Sequence, residues 1–429
     1  MTYVLGAVVL IVILIVSVAW HELGHLLPAK AFKVPVTQYM VGFGPTIWSK
    51  KVGETEYGLK WVLLGGYIHM LGMYSPRRSA RAAKTGWRAS LADAAREVTR
   101  EELAELGAGP GGLDARAYYR RSAPRKLVIM LGGPTMNLIL ALFLLVLALS
   151  AVGVYEPSTT ISAVTACVTA EGQGAEECGQ GTVETPARAA GLEAGDKIVA
   201  WDGHAVSGWD QFLGLVASAP ARPTAVTVLR GGAELDLEIT PLRVGEGESA
   251  RSLIGVTAGA TELVKKPVSA APGVLWNQVA ASAKLYAQLP VSVWNTLVDL
   301  VQGNERAADS PASVVGIASV AGQVAAVEVD DPAVDENRLR WGTWLQLGAM
   351  VNIALWLFNL LPLLPLDGGH VVNALYEGAR RAWARARGRP DPGPADSARL
   401  MPLTYVVVGL LILMTVILVM ADVLNPYQL

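Results

Sequence analysis

The sequence predicts a multi-pass α-helical membrane protein with about four transmembrane helices and one extracytoplasmic soluble domain. The chain has 429 residues, of which 52% are hydrophobic and only 17% are charged, whereas a soluble domain carries about 25% charged residues. The deficit lies in four uncharged stretches at 3–20, 127–155, 341–366 and 400–421, each near the ~20 residues of a membrane-crossing helix. This pattern excludes a purely soluble or disordered protein, and a net charge of −2 gives no electrostatic support for a nucleic-acid partner.

The distribution of charge predicts the topology. Residues 155–340 carry 12 Lys and Arg against 23 Asp and Glu, whereas the rest of the chain carries 23 and 14. Much of the positive charge lies in two predicted loops, 74–126 and 371–399. Since positively charged loops stay in the cytoplasm, we expect both termini and the acidic segment to lie outside. Within the Arg-rich loop 371–399, the segment 380–399 is expected to be flexible.

A further hydrophobic stretch, 267–298, lies within the linker 246–340. Its only charge is Lys284, and its apolar residues follow helical spacing with polar residues between them. A crossing here would place one of the two basic loops outside. We therefore expect amphipathic helices on the outer membrane surface, broken at Pro290.

The acidic segment contains a predicted domain at 158–245. Within it, residues 186–206 combine a short helical turn, a tight Gly195-Asp196 turn and a strand that begins at Lys197. This arrangement resembles a PDZ domain of the bacterial protease type, in which a groove beside an edge strand accepts extended peptide. The alternative is another small β-rich domain. Cys167 and Cys178 fall outside the membrane in this topology, where a disulfide can persist, but the sequence leaves their pairing open.

The first chemical motif is His21-Glu22-Leu23-Gly24-His25, at the end of the first predicted span. Two histidines at i and i+4 share one helix face and can reach one metal ion, while Glu22 is placed to take a proton from water. Ionisable residues in a membrane span are costly and usually functional. A polar cluster at the membrane boundary is the alternative interpretation.

A catalytic zinc site needs a third protein ligand, and Asp367 fits by depth. The first helix enters from outside and reaches His21 after 18 residues, ~27 Å of helix. The third span enters near Trp341 and reaches Asp367 after 26 residues, but Pro362 and Pro365 interrupt its end. Both residues are therefore predicted near the cytoplasmic face.

With these motifs together, the chain resembles the bacterial site-2 proteases, a family of intramembrane zinc metalloproteases. The resemblance covers almost the whole chain: the motif at 21–25, the segment 359–369 with its Leu-Asp-Gly, the Gly-Pro-Thr-Met-Asn at 133–137, and the region 37–73, which resembles a membrane-dipping β-hairpin. The departures are shifted prolines before Asp367, a Val-Gly in place of Gly-Pro at 315–316, and one PDZ-like domain where some members have two.

The resemblance implies a domain order and a site. The first transmembrane helix and hairpin occupy 1–73, and further transmembrane helices occupy 127–155, 341–370 and 400–421. His21, His25 and Asp367 would bind Zn²⁺, and Glu22 would act as the base. Candidate substrate-binding residues are Asn359, Asn137, Gly65 and Gly66, although a structural helix–helix hydrogen bond is an alternative for each Asn. Neither His69 nor His370 is needed, because three ligands and a water fill the site.

The function implied is hydrolysis of peptide bonds within or near the transmembrane segment of single-pass membrane proteins, in a bacterial inner membrane. Regulated intramembrane proteolysis, such as a second cut in a membrane-bound anti-sigma factor, is one role, and clearance of signal-peptide remnants is another. A catalytically silent adaptor that uses its PDZ-like domain, and a zinc transporter, are the rival classes. The PDZ-like domain is expected to exclude substrates with bulky ectodomains, with recruitment of a new C-terminus as the alternative.

Overall fold

The computed structural model describes residues 2–75, 87–105, 113–169, 174–175, 178–179, 181–244, 251–304, 310–327 and 334–425. The helices in these residues are α1 Thr2–Ala31, α2 Trp87–Glu105, α3 Leu113–Arg116, α4 Ala123–Val146, α5 Pro186–Ala189, α6 Trp209–Ser218, α7 Ala271–Gln302, α8 Val314–Ala326, α9 Glu336–Asn359, α10 Asp367–Ala386 and α11 Met401–Leu424. The strands are β1 Val36–Val52, β2 Thr55–Met70, β3 Val154–Pro157, β4 Ile161–Val164, β5 Cys167–Thr169, β6 Gly174–Ala175, β7 Thr182–Glu184, β8 Lys197–Trp201, β9 His204–Ala205, β10 Thr224–Arg230, β11 Ala233–Ile239, β12 Leu242–Val244, β13 Arg251–Leu253, β14 Val256–Ala258 and β15 Thr261–Val264. Parts of the predicted loop 74–126, at 76–86 and 106–112, lie outside the described residues.

The chain divides into two compact units. The described residues of Met1–Ala151, Pro267–Val327 and Arg340–Leu429 form the first, and those of Val152–Lys266 and Glu328–Leu339 form the second. In the first unit, Val4–Ala31, Ala123–Val152 and Ser397–Leu424 are long and apolar enough to cross a membrane. The helix α9 has 24 residues, which is also long enough, but polar residues such as Gln346 and Asn352 make it less apolar. Three to four apolar helices thus fit a membrane protein.

Two local predictions are wrong. The segment around Pro290 is not broken: α7 runs as one helix of 32 residues with this proline inside it. Proline inside a membrane helix is tolerated where neighbouring helices pack against it, and α7 contacts α9 here, with Tyr286 donating from its hydroxyl to the Ala354 carbonyl at 3.2 Å. The predicted loop 371–399 is helical as far as Ala386, because α10 continues through it.

The helices α1 and α4 approach so closely that their backbones touch. A β-carbon added to Gly24 would lie 2.3 Å from the carbonyl oxygen of Gly132, and one added to Gly132 would lie 1.9 Å from that of Gly24. No other residue type fits at either position without moving a helix. Small residues permit such close crossings in membrane proteins, and this crossing brings the two histidines of α1 against α4.

A β-hairpin follows α1. The strands β1 and β2 pair along their length, and the hairpin is bent so that Tyr39 pairs with both Tyr57 and Ile68. Segment 66–70 of β2 therefore has β1 on one side and no strand on its other side among the described residues. Tyr39 also donates a hydrogen bond to the Ala19 carbonyl of α1, at 2.6 Å, which fixes the hairpin on this helix.

The second unit is a small α/β fold around a separate core. Its main sheet has the strand order β11-β10-β8-β9, and the core includes Ile198 and Val228 of the sheet with Trp209 and Phe212 of α6. Cys167 and Cys178 form a disulfide, which resolves the pairing that the sequence left open.

Candidate metal centre

Three side chains from two distant parts of the sequence meet in the first unit. His21 Nε2 and His25 Nε2 lie 3.1 Å apart, and each lies 3.2 Å from Asp367 Oδ2. Both histidines are buried. A tetrahedral zinc ion with bonds of ~2.0–2.1 Å holds its ligand atoms roughly 3.3 Å apart. The triangle formed by these three atoms therefore has the size that zinc requires.

The orientation of His25 leaves a lone pair for a metal. Its Nδ1 lies 2.7 Å from the carbonyl oxygen of Ile129 in α4. Since a carbonyl can only accept, Nδ1 carries the proton and the neutral ring presents an unprotonated Nε2 to the group. Hydrogen bonds of this kind commonly orient metal-binding histidines. Asp367 Oδ2 is buried and has no hydrogen-bond donor among the described residues, so a cation is the partner that this oxygen lacks.

His21 has a side-chain amide as its partner. The Asn137 amide of α4 lies 3.2 Å from His21 Nδ1, and Asn137 is fully buried. Asn137 Oδ1 has no hydrogen-bond partner in the described part of the chain. As placed, it is Nδ2 that faces His21 Nδ1; exchanging the two similar amide atoms by a flip of the side chain lets Oδ1 accept the Nδ1 proton, which leaves His21 Nε2 free to bind metal.

Asp367 is held by a close turn before α10. It is the first residue of that helix and follows the non-helical residues 360–366. A β-carbon at Gly368 would lie 2.2 Å from the Leu361 carbonyl oxygen, and one at Gly369 would lie 2.6 Å from the Leu364 nitrogen. The Asp-Gly-Gly sequence therefore allows the chain to turn tightly and present Asp367 to α1.

We call His21, His25 and Asp367 the metal group. Glu22 lies between the metal group and the β1–β2 hairpin. It is 8% exposed, and its carboxylate faces the backbone of Ile68 in β2. A β-carbon at Gly66 would lie 3.2 Å from Glu22 Cγ and 2.7 Å from Val18 Cγ1. Glycine at this position thus allows this part of β2 to lie directly against the helix that carries Glu22.

The structure places the remaining candidates as follows. Gly65 lies against the ring of Phe43, within the hairpin. Asn359 ends α9 and donates through Nδ2 to the Leu355 carbonyl of its own helix, at 3.0 Å. The metal group contains neither His69 nor His370, and His69 contacts Glu102 instead, at 3.0 Å.

Two buried polar contacts were not foreseen. Asn352 of α9 donates to Ser17 Oγ of α1 at 2.8 Å, and both residues are buried. Lys126 of α4 pairs with Glu377 of α10 at 2.7 Å. The signal for Asn352 was a strongly polar residue inside an apolar span, which usually marks a helix contact. Nothing in the sequence singled out Glu377 from the other charged residues around it.

Comparison with known proteins agrees with this geometry. The model of peptidase family M50 matches residues 9–390. Zinc metalloprotease Rip1 of Mycolicibacterium smegmatis is 30% identical over 99% of both chains, and that of Mycobacterium tuberculosis is 31% identical over the full length of both. Metalloprotease MmpA of Caulobacter vibrioides is 27% identical, over 90% of this chain and 89% of that protein. The chain therefore belongs to peptidase family M50, the site-2 protease family, and is a zinc metalloprotease.

Proposed function

We propose that this protein is an intramembrane endopeptidase that hydrolyses peptide bonds within or near the transmembrane segment of single-pass membrane proteins. The observation that carries the proposal is the position of the metal group on α1. His21 and His25 belong to a helix apolar enough to cross a membrane, and the acid between them, Glu22, is buried beside the open edge of β2. A protease built for soluble substrates has no reason to place its metal ligands on such a helix.

The roles follow from the contacts. His21, His25 and Asp367 would hold the zinc ion, with Ile129 and Asn137 fixing the orientation of the two imidazoles. When bound, zinc supplies a Lewis acid that activates water and polarises the scissile carbonyl. Glu22 takes the proton of the attacking water and delivers it to the leaving amine.

Segment 66–70 of β2 is the proposed docking strand for substrate. An unwound transmembrane segment exposes backbone N–H and C=O groups that must find partners, and an open strand edge supplies them. Gly66 lets that edge run beside Glu22, and Gly65 keeps the adjoining backbone free of a side chain. Asn359 is proposed to hold the substrate backbone through the amide oxygen that its helix does not use. The burial of Asn137 favours orientation of His21 over contact with substrate.

The proposed setting is a bacterial inner membrane, with both termini and the second unit outside. There the enzyme would make the second cut in regulated intramembrane proteolysis, for example of an anti-sigma factor, with signal-peptide remnants as another substrate class. A PDZ-like assignment of the second unit is supported by its sheet and by α6 beside it. A cavity of about 320 Å³ is lined by Ser158, Thr159, Ile198, Val199 and Gly208 among others. The Glu22 carboxyl beside an intact ligand set favours an enzyme over a silent adaptor or a transporter.

The test separates the base from the metal. Glu22→Gln in the purified full-length protein should retain stoichiometric zinc and lose ~10²–10⁴-fold in cleavage rate of a single-span substrate. Cleavage at the wild-type rate would rule out this mechanism. Asp367→Ala should lose zinc as well as activity, whereas the matched variant His370→Ala should keep zinc. If the His370 variant alone loses zinc, the third ligand has been assigned incorrectly.

A further inference from the structure

A buried ion pair joins α4 to α10 outside the metal group. Lys126 Nζ lies 2.7 Å from Glu377 Oε2; Lys126 is 4% exposed and Glu377 is fully buried. The Glu377 carboxylate also accepts from the backbone N–H of Ala395 at 3.0 Å, and it lies 3.2 Å from the guanidinium of Arg381. Apolar packing often stabilises a fold as well as a buried ion pair does. The effect expected of this pair is therefore on the geometry of the two helices rather than on net stability.

Both helices lead from this pair to the metal ligands. Asp367 begins α10 ten residues before Glu377, which is ~15 Å along the helix axis. On α4, Gly133 lies against the His25 ring and Asn137 contacts His21. These residues follow Lys126 by seven and eleven positions, ~10 and ~16 Å along that axis. The distance from the ion pair to the metal group is therefore similar along α10 and along α4.

The helices α4 and α10 run antiparallel. The start of α10 therefore lies beside residues of α4 that come after Lys126. Gly378 comes one residue after Glu377, and a β-carbon placed on it would lie 3.3 Å from the side chain of Ala123. Ala123 comes three residues before Lys126. Moving forward along α10 thus means moving backward along α4, and the start of α10 lies level with the histidine-contacting part of α4.

The start of α10 needs such a contact because nothing helical precedes it. Residues 360–366, which connect it to α9, contain no helix, so α10 does not inherit its direction from a rigid neighbour. If the part of α10 around Glu377 could tilt, Asp367 at the start of this helix would move relative to His21 and His25. The contact of Glu377 with α4 removes that freedom.

We propose that Lys126 and Glu377 are a positioning pair that fixes α10 on α4, so that Asp367 Oδ2 meets His21 and His25 at metal-binding distance. The pair touches neither the metal group nor the substrate edge, and it acts through the rigidity of the two helices. This inference rests on the metal site of the proposed function.

The experiment measures zinc affinity, by competition with a chelator, in the full-length protein in detergent. Lys126→Met and Glu377→Gln should each weaken zinc binding by ~10–100-fold, the usual effect of disturbing the support of a metal ligand. The matched control is Arg96→Met. Arg96 is also a buried cation, 6% exposed and paired with Asp93 and Asp396 at 2.6 Å, but it lies on α2. It should keep zinc affinity within about twofold of the wild type.

The double variant Lys126→Met/Glu377→Gln separates positioning from stability. It leaves neither an unpaired ammonium nor an unpaired carboxylate at this site, and Arg381 keeps Asp391 as a partner at 3.4 Å, so thermal stability of the zinc-free protein should recover relative to either single variant. Zinc affinity should remain low, because the contact that directs α10 is still missing. If the single variants fail to fold, the zinc affinity of this double variant tests the proposal instead.

Three outcomes would overturn the proposal: wild-type zinc affinity in the folded single variants, recovery of zinc affinity in the double variant, or an equal loss in Arg96→Met. Different results would show that the proposed zinc site itself is wrong. In that case the wild-type protein binds no stoichiometric zinc, or Asp367→Ala binds it as tightly as the wild type does.

Discussion

Gly133 lies so close to His25 that a β-carbon on the glycine would come within 2.2 Å of the imidazole Nε2. The His25 nitrogen that is proposed to bind metal thus occupies the space of a missing side chain on α4. Gly24 and Gly132 allow the same approach between the two backbones. Three glycines on two helices therefore set the depth at which His25 sits.

Gly133→Ala should consequently displace His25 and weaken zinc binding by about tenfold or more, even though alanine is favoured over glycine in helices by ~1 kcal/mol. The matched control is Gly409→Ala in α11, where an added β-carbon meets nothing within 4 Å. Chelator competition on both variants tests this, and equal zinc affinity in the two would contradict the role given to Gly133.

Asn137 gives a prediction that distinguishes orientation from substrate contact. Asn137→Leu removes the acceptor for the His21 Nδ1 proton and should reduce zinc affinity by ~10–100-fold. Asn137→Asp keeps an acceptor and should retain most of it. If Asn137 instead held substrate, Asn137→Leu would raise KM and leave zinc affinity unchanged. Zinc affinity and steady-state kinetics on the same preparations decide between the two roles.

The second unit should lose stability in acid through Asp196. Arg230 donates to this carboxylate from Nε and Nη2, both at 2.7 Å, and these bonds lower the pKa of Asp196 below its ordinary value of 3.8. A lowered pKa in the folded state stabilises the fold above the unfolded value, and this contribution is lost as the pH falls through the folded value. The loss is therefore confined to pH below about 3.8.

Hydrogen exchange of β8 and β10 in the full-length protein, followed from pH 5 to pH 2.5, measures this effect. Arg230→Met should lower protection at pH 5 and flatten its dependence on pH. Arg222→Met removes an exposed pair with Asp202 and should change little. A wild-type pH dependence in Arg230→Met would show that Asp196 is not the group responsible.

Deletion of 159–243 tests what the second unit contributes to substrate choice. If the unit excludes bulky ectodomains, the truncated enzyme should cleave an untrimmed substrate and lose little rate on a trimmed one. If the unit recruits new C-termini, cleavage of the trimmed substrate should fall sharply and the untrimmed one should stay intact. We expect the first result. Zinc stoichiometry of the truncated protein serves as the control for folding of the remaining chain.

The metal group was predictable because its residues carry strong local signals. The spacing of His21 and His25 defines one helix face, and Asp367 follows a proline-interrupted apolar span. Depth along two helices alone predicts that these residues lie near the same membrane face. Counting apolar residues likewise located α1, α4 and α11.

The support around the group was not predictable, for reasons that lie in the packing. Lys126 and Glu377 are 251 residues apart, and each resembles an ordinary loop charge until the helices are assembled. The side-chain amide of Asn137 can hydrogen-bond to substrate, to a helix backbone or to an imidazole. Only its burial in the folded protein distinguishes these roles. Pro290 suggests a break by its local chemistry, whereas contacts of α7 with its neighbours allow the helix to continue.

The division of the ligands along the chain has a consequence for biosynthesis. His21 and His25 belong to α1, whereas Asp367 is synthesised some 340 residues later. A nascent chain can therefore insert its first helices and fold its second unit while it still lacks a complete zinc site. With Asp367 as the proposed third ligand, hydrolytic capacity would arise only when α10 docks, and the enzyme would be inactive during most of its own synthesis.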